Sequence, residues 1–550
     1  MNPKQESQIP AAHRWLIVVL IALVWFVMLG YRDLMGPDEG RYAEIPREMV
    51  ESGDWITPRL NGFIYFEKPA LQYWMTAAGF AIFGENNATA RLWVALISFL
   101  GALWVMYVGG RLWGFEAGLY GFLLLASSLL YYILGHHITL DMTVGVFLAG
   151  GVGSLLIAQT GRHDPVRVRN WMLVGWAMLA LATLTKGLIG IVLPGGVVLI
   201  YSLWQRDWAL WRHLHLGKGI LLFLGITAPW FIAVSLANPE FAEFFFIHEH
   251  FDRYTSTVHR RDQPAWYFLP ILLAGMSPWI NRGVAALVRP GFSLRPGPSK
   301  DFDPVRFLWT YALFVLFFFS LGSSKLAGYI LPMFPAIALL AGRKMADRPS
   351  PHFDSWAMLT TGAILLIAVP LVDLAASERT PAELLQQFRP WLLVAALVSL
   401  AGFLIMRRRG LAIHWRLTVM AFSALMTFQV INWGFQVLGE SRSSRSLVEA
   451  IRPYTSEDAP VYNLGVFHRS LPFYLGRPVY LAMTKSELQL GIEQEPEKWI
   501  PDWQTFVTRW KSGEQAVAVM RRSDYPSYRN QGLSGRVVYQ DARQLAVVKQ

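Results

Sequence analysis

The sequence predicts a polytopic α-helical membrane protein that carries a small α/β domain at its C-terminal end. Three observations lead there. Of 550 residues, 54% are hydrophobic and only 16% charged, where soluble domains carry about a quarter charged residues. Long apolar runs recur from residue 14 to residue 437, and a bilayer core needs about 20 such residues per helix. After residue 440 the runs stop and a mixed, polar composition takes over.

The first run, 14–30, follows basic residues and shows no small-residue cleavage site, so an uncleaved anchor is expected. Further spans are expected at 89–110, 115–134, 138–158, 170–182, 186–203, 217–236, 266–283, 305–320, 328–345, 355–375, 390–406 and 413–437, about thirteen transmembrane helices in all. The pair 170–182 and 186–203 is short, and one member would suit a re-entrant segment. Loop charge gives the orientation. With the N-terminus inside, the inner loops hold Arg162, Arg167, Arg169, Arg206, Arg212, Arg289, Arg295, Lys300 and Arg407-Arg408-Arg409. The outer loops 31–88, 237–265 and 376–389 are acidic or mixed. The net charge of +11 is therefore topological, with membrane lipid as its partner and no nucleic acid. Cysteine is absent, which excludes disulfides and thiol chemistry.

The membrane domain is expected to span 1–440 and the soluble domain 441–550. Helical patterns at 444–453 and 503–511 alternate with short apolar runs at 460–466, 478–482, 515–520 and 536–540, as in a compact α/β domain. It holds no Gly-rich phosphate loop or metal signature, so a supporting or covering role is expected. No internal repeat is visible, which weighs against a repeat-built transporter.

The chemistry is expected in the first outer loop. Residues 36–74 read GPDEGRYAEIPREMVESGDWITPRLNGFIYFEKPALQYW, laced with Tyr42, Trp55, Phe63, Tyr65, Phe66, Tyr73 and Trp74. Pro37-Asp38 looks like a helix start with Asp38 as N-cap, and Gly53 like its stop. Tyr42, Ile45 and Met49 follow at helical spacing. Such a helix should lie along the interface with its acids in water. Asp38 is either a cap and dipole partner or a carboxylate that orients or deprotonates a nucleophile.

Asp141, in HHITLDMT at the start of the fourth span, is costly there unless it faces a cavity or a partner. His136 and His137 suit polar interface positions as well as ligands. Glu67-Lys68 precedes Pro69 and is either a surface ion pair or part of a site. HEHFDRY (248–254) and SSKLAGYILP (323–332) offer further cations beside tyrosines. Snorkelling alone would account for Lys325. Three outer loops, each with a Lys or Arg near a Tyr, together suit a phosphate at the interface.

These motifs carry a family likeness. One span, then GPDEGRYAEIPREM, then FEKPAL.YW, HEHFDRY and SKLAGYILP resemble the GT-C glycosyltransferases that use polyprenyl-phosphate sugars, a class related to the protein O-mannosyltransferases. Over the whole chain the sequence is similar to the lipid A 4-amino-4-deoxy-L-arabinose transferases. The resemblance implies transfer of aminoarabinose from undecaprenyl phosphate to a lipid A phosphate at the periplasmic face of the bacterial inner membrane, with resistance to polymyxin. It implies Asp38 as the catalytic-loop carboxylate and Asp141 as a second acid of the cavity. It puts Lys68, Arg253, Tyr329 and Tyr65 on the carrier phosphate. It implies no required cofactor, although Glu67 with His248 would form a zinc pair, and spacing lends that pair no support. A monomer is expected, with the lipid-linked sugar and lipid A as partners.

Two other readings remain. A related transferase would move another sugar, or glycosylate protein, and would need a base for a hydroxyl acceptor. A flippase would place its ionisable groups within the spans near the midplane, whereas here they gather in outer loops.

Overall fold

The computed structural model describes residues 9–252, 263–292, 301–347, 351–456, 459–512 and 515–549. Within them the apolar runs are helical, since a lipid core leaves the backbone no water to pair with. Seven helices are long and apolar enough to cross a membrane: Asn87–Trp113, Leu140–Thr160, Leu216–Ala237, Pro304–Leu321, Asp354–Ala375, Ala382–Met406 and Ile413–Gly439. Phe115–Ala126 and Leu129–Gly135, bent by 67° to each other, make an eighth if they are one broken span.

The expected count of thirteen is therefore not confirmed by length and composition. Ala11–Phe26, Ile189–Gln205 and Ala265–Gly275 are apolar but shorter. The expected span 170–182 is part of a longer helix, Pro165–Lys186, opened by Asp164, whose side chain accepts from the backbone N–H groups of Val166 and Arg167. Residues 328–345 divide into a 3-10 turn at Ala327–Ile330 and the helix Met333–Asp347. Small residues let these helices close on one another. A Cβ on Gly118 would stand 2.1 Å from the Met106 carbonyl oxygen, and one on Gly342 2.4 Å from that of Ala117.

At the C-terminal end, six strands form one sheet: β3 (Val461–Leu464), β4 (Tyr480–Ala482), β5 (Trp499–Ile500), β6 (Val517–Arg521), β7 (Arg536–Gln540) and β8 (Gln544–Val548), after a short hairpin of β1 (Arg59–Leu60) and β2 (Phe63–Ile64). The sheet order is β5-β4-β3-β6-β8-β7, parallel from β5 to β6 and antiparallel thereafter. The helix Trp503–Ser512 packs on it through Phe506 and Trp510. β5 and β8 are additions to the sequence reading. β5 has only two residues, and β8 is buried on both faces and so shows no alternation.

The helix Asp38–Ser52 corrects an expectation. Pro37, not Asp38, is its N-cap, and no side chain caps it; Gly53, at φ 71°, ends it as expected. Of its five acids only Asp38 and Glu51 reach water. Glu39, Glu44, Arg47 and Glu48 are buried together with Tyr42, Ile45 and Met49. The reason is the C-terminal domain, which lies directly on the helix. A Cβ on Gly40 would stand 2.6 Å from the Ser470 nitrogen, and Arg47 donates to the Gly476 carbonyl at 3.1 Å.

Buried charge requires partners. Glu44 has Arg47 in a two-point ion pair at 2.7 Å. Glu48 accepts from the Gly62 backbone N–H at 3.0 Å and lies beside Glu44, and burial and then Glu44 push its carboxyl well above the usual range. A carboxyl raised on folding is fully stabilising below its unfolded value and loses that benefit as pH rises above it, by about 1.4 kcal/mol per unit of difference. Glu48→Gln, which keeps the neutral shape, is expected to raise the melting temperature in detergent at pH 8 and much less at pH 5. An equal or opposite change at the two pH values would show that Glu48 is ionised.

Candidate active site

One buried carboxylate fixes the first turn of this helix. Glu39 receives Arg32 at 2.8 and 2.9 Å and Arg91 at 2.8 and 2.9 Å, so both oxygens are bound by two guanidinium forks. Burial alone would raise its pKa, yet the two arginines hold it well below the usual range. With Glu39 anchored on the membrane helices, helical rotation points its neighbour Asp38 elsewhere. The Asp38 side chain is 49% exposed, with its Oδ1 4.0 Å from Arg41 Nη2.

Arg41 is the centre of this part of the site. Its Nη1 donates to the Tyr65 hydroxyl at 3.2 Å and lies 4.0 Å from Glu67 Oε2; its Nη2 lies 3.2 Å from Glu487 Oε1. Burial pushes the Tyr65 hydroxyl up, and neighbouring Glu67 adds to that. Lys68, half-buried, donates to the Glu67 carbonyl.

Asp141 and Tyr329 meet through a residue the sequence reading passed over. Asp141, at the start of Leu140–Thr160, forms an ion pair with Lys186, the last residue of Pro165–Lys186. The Lys186 ammonium lies 4.6 Å from the centre of the Tyr329 ring. Thr143 is tied to Gln72 of the helix Leu71–Phe83 at 2.6 Å, which fixes the start of the Asp141 helix against that helix. Tyr42 shares a neighbourhood with both groups. Burial raises its pKa; Arg41 opposes this, while Asp38, Glu67 and Asp141 add to it.

The structure thus brings Asp38, Tyr65 and Glu67 together around Arg41, and Asp141 and Tyr329 together around Lys186. His248 is exposed, with its ring 5.3 Å from that of Phe244. Arg253 lies outside the described residues. His136 is structural, bridging the carbonyls of Tyr132 and Trp25 at 2.9 and 2.8 Å. Lys325 is buried and donates to the Gly322 carbonyl at 2.7 Å, which is not a snorkelling position. Among the described residues, no three metal-capable side chains gather in one place. The sequence did carry a signal for Lys186, a lysine at the end of a long helical stretch, and for Arg41, one turn on from Asp38. It carried none for Glu487.

From the Lys186 end of its helix an apolar groove of about 510 Å³ runs between membrane helices, lined by Thr183, Leu188, Ile191, Phe231, Ile232 and Phe245 among others. A cluster of charged side chains in a membrane-spanning chain, with an apolar groove that starts next to Lys186 in sequence, suits a substrate that is part anion and part lipid.

Comparisons narrow the class. Residues 12–245 match the dolichyl-phosphate-mannose-protein mannosyltransferase family, and residues 447–549 the aminoarabinose transferase C-terminal domain. The crystal structure of ArnT from Cupriavidus metallidurans bound to undecaprenyl phosphate is similar over 98% of both chains, with a TM-score of 0.90 and 36% identity. The undecaprenyl phosphate-α-4-amino-4-deoxy-L-arabinose arabinosyl transferase 1 of Sodalis glossinidius is 33% identical over 75% of this chain and 74% of its own. The corresponding transferase of Shewanella sediminis is 29% identical over 88% of each. The chain belongs to the undecaprenyl phosphate-aminoarabinose arabinosyl transferase family and is a polytopic glycosyltransferase.

The tightest joint in the site is testable. A Cβ on Gly328 would stand 2.6 Å from Asp141 Oδ2 and 2.8 Å from its Cγ. Gly328→Ala must therefore move either the Asp141 carboxylate or the turn that carries residue 328. Misplacement on the scale of an ångström costs about 10²-fold, and a loss of that order is expected in reconstituted glycosyl transfer, with folded protein still in the membrane. Wild-type turnover would show that the Asp141–Lys186 geometry is not needed.

Proposed function

We propose that this protein transfers 4-amino-4-deoxy-L-arabinose from undecaprenyl phosphate to a phosphate of lipid A at the periplasmic face of the bacterial inner membrane. One observation carries the reading above the rest: likeness over 98% of both chains to an enzyme solved with undecaprenyl phosphate bound. The apolar groove that begins at Gly187, next to Lys186 in the chain, suits an isoprenoid tail beneath a phosphate.

In the reaction, an acceptor phosphate oxygen forms a bond to the anomeric carbon as the bond from that carbon to the carrier phosphate oxygen breaks. The electron pair leaves with undecaprenyl phosphate. A phosphate acceptor is already anionic near neutral pH and needs no strong base. Charge gathers on the leaving phosphate, and fixed cations lower that barrier. In this reading Lys68 and Arg253 bind the carrier phosphate, with hydrogen bonds from Tyr329 and Tyr65. Asp38 orients the reacting groups, and Asp141 with Lys186 shapes the cavity beside them. The implied zinc pair does not fit. Glu67 and His248 are two ligands where zinc sites take three or four from protein, and Glu67 lies against the Arg41 guanidinium.

The division into a catalytic membrane domain, 1–440, with 31–88 as its catalytic loop, and a periplasmic domain, 441–550, belongs to the same proposal. So does a cytoplasmic N-terminus. Reporter fusions after residue 440 are expected to show periplasmic activity, and cytoplasmic signal there would reverse the assignment.

Synthetic undecaprenyl-phosphate sugar and lipid A in proteoliposomes test the function directly. A new sugar–phosphate bond on lipid A, seen by mass spectrometry, is expected, and a deletion strain should become polymyxin-sensitive. Product on a peptide, or movement of the donor with no new bond, would overturn the reading. Asp38→Asn is expected to abolish transfer while the protein stays folded; since the helix N-cap is Pro37, retained activity would remove Asp38 from the reaction. Lys68→Ala and Arg253→Ala should each lose about 10²–10³-fold. Arg253→Lys should recover only part, because an ammonium cannot reproduce the guanidinium fork. Near-wild-type turnover in either alanine variant would exclude that cation from the clamp.

A further inference from the structure

Three arginines from distant parts of the chain gather where the membrane helices meet the C-terminal sheet. Arg379 sits in the tight turn Ser377–Thr380, closed by backbone bonds of 3.0 and 2.9 Å, which joins the span ending at Ala375 to the one beginning at Ala382. Arg442 ends the helix Gln436–Arg442, and Arg543 lies in the turn between β7 and β8. Arg543 Nε donates to the Arg379 carbonyl at 3.1 Å, so the sheet domain and the membrane turn are joined through this guanidinium. Burial, then Arg442 and Arg379, push Arg543 below its usual range, and only Asp541 opposes them.

Clustered cations repel one another unless an anion lies among them. The acids nearby serve elsewhere. Asp541 accepts from the backbone N–H groups of Arg543 and Gln544 at 2.6 Å and from the Tyr539 hydroxyl at 2.9 Å, which shapes the β7–β8 turn. Asp373, at the end of the preceding span, is paired with Arg389. Glu378 is exposed beside Arg379. Among the described residues, no ion pair joins Arg379, Arg442 or Arg543 to a carboxylate, and Arg379 and Arg442 are exposed.

Position says what the anion is. The span Asp354–Ala375 ends four residues before Arg379, and its last turns carry Leu371 and Leu374, 48% and 83% exposed. Guanidiniums just above a lipid-facing rim stand where lipid phosphates lie. The cluster is also tied to the candidate active site. The Arg442 carbonyl accepts from the Gly36 N–H at 3.1 Å, and Gly36 is two residues, about 8 Å of chain at most, before Asp38. We propose that Arg379, Arg442 and Arg543 bind a phosphate of the lipid A acceptor other than the one that reacts. Lipid A carries more than one phosphate, so one is held in guanidinium forks, which match phosphate geometry, while another meets the sugar. The inference rests on the function proposed above and uses none of the cations assigned to the carrier phosphate.

Arg442→Gln and Arg543→Gln test it in the full-length protein, in proteoliposomes of zwitterionic phospholipid with synthetic donor. Each is expected to raise the KM for lipid A about fivefold, the size of a partly exposed ion pair, with kcat and the KM for the lipid-linked sugar within about twofold. Arg442→Lys should recover part of the loss. Lipid A binding to the detergent-solubilised protein without donor, read by native mass spectrometry, should weaken in parallel. Arg529→Gln, an exposed arginine elsewhere on the same domain, is the control for net charge. An equal loss in that control, or an unchanged KM and unchanged binding in folded Arg442→Gln, would overturn the inference. So would a site for surrounding lipid: phosphatidylglycerol would then raise the melting temperature of the wild type and not of Arg442→Gln, with the KM for lipid A the same in both. Should Arg543→Gln fail to fold, Arg442→Gln carries the test, because its side chain makes no hydrogen bond among the described residues. Absence of transfer by the wild-type protein would overturn the functional reading, whereas the binding measurement needs no turnover and judges this site separately.

Discussion

The arrangement depends on one buried ion cluster, Glu39 between Arg32 and Arg91. Four charge-assisted hydrogen bonds of 2.8–2.9 Å meet on a carboxylate that is 1% exposed. Arg91 also donates to the Asp33 carbonyl at 2.9 Å, so the chain leaving the first helix is fixed in the same knot. Among the described residues each arginine is ion-paired to Glu39, and two buried cations left unpaired would cost several kcal/mol each. The knot sets the position and rotation of the helix Asp38–Ser52, and with it the direction in which Asp38 and Arg41 point.

The same helix is pressed between two bodies of different chemistry, which explains its unusual content of buried charge. On the membrane side lie the helices that supply Arg91 and Asp141. On the other lies a sheet domain whose loops supply Glu487, Arg469 and the Gly476 carbonyl. A second polar seam holds the domain down beside the first. Asp33 accepts from Arg445 at 3.0 Å, from Gln436 at 2.9 Å and from Asn87 at 3.2 Å, and Tyr474 bonds to the Leu34 nitrogen at 2.7 Å and to Asn87 at 2.9 Å. In a low-dielectric seam such bonds are strong when complete and costly when broken. The domain is therefore held in one position over the site.

Below the site the chemistry changes within one residue. Lys186 is paired to Asp141, whereas Gly187 and Leu188 already line the apolar groove. Aromatic rings make the transition. Tyr329 stands against both the Lys186 ammonium and the Phe319 ring, and Trp74 packs on Trp230, which in turn bonds to the Ile56 carbonyl. Rings with one wet and one apolar end suit a membrane boundary. An amphiphile with an anionic head would be held at that boundary by both halves at once.

Composition and hydropathy by themselves determined that this is a helical membrane protein with a C-terminal α/β domain, because lipid enforces long apolar runs and they survive in any one-dimensional reading. The family resemblance of the motifs made Asp38, Tyr65, Glu67, Lys68, Asp141 and Tyr329 candidates. What only the tertiary structure decided is which charges meet. Asp38 and Glu39 are adjacent acids that the sequence cannot tell apart; a rotation of about 100° per residue sends one into a buried clamp and leaves the other half-exposed. Glu48 looks like any surface acid until the hairpin β1–β2 and Glu44 enclose it. Arg41 meets Glu487, and Asp141 meets Lys186, only because distant segments fold onto one helix. A sequence fixes the kind of each charge, but its partner, and hence its burial, its proton and its use, comes from contacts made between segments far apart in the chain.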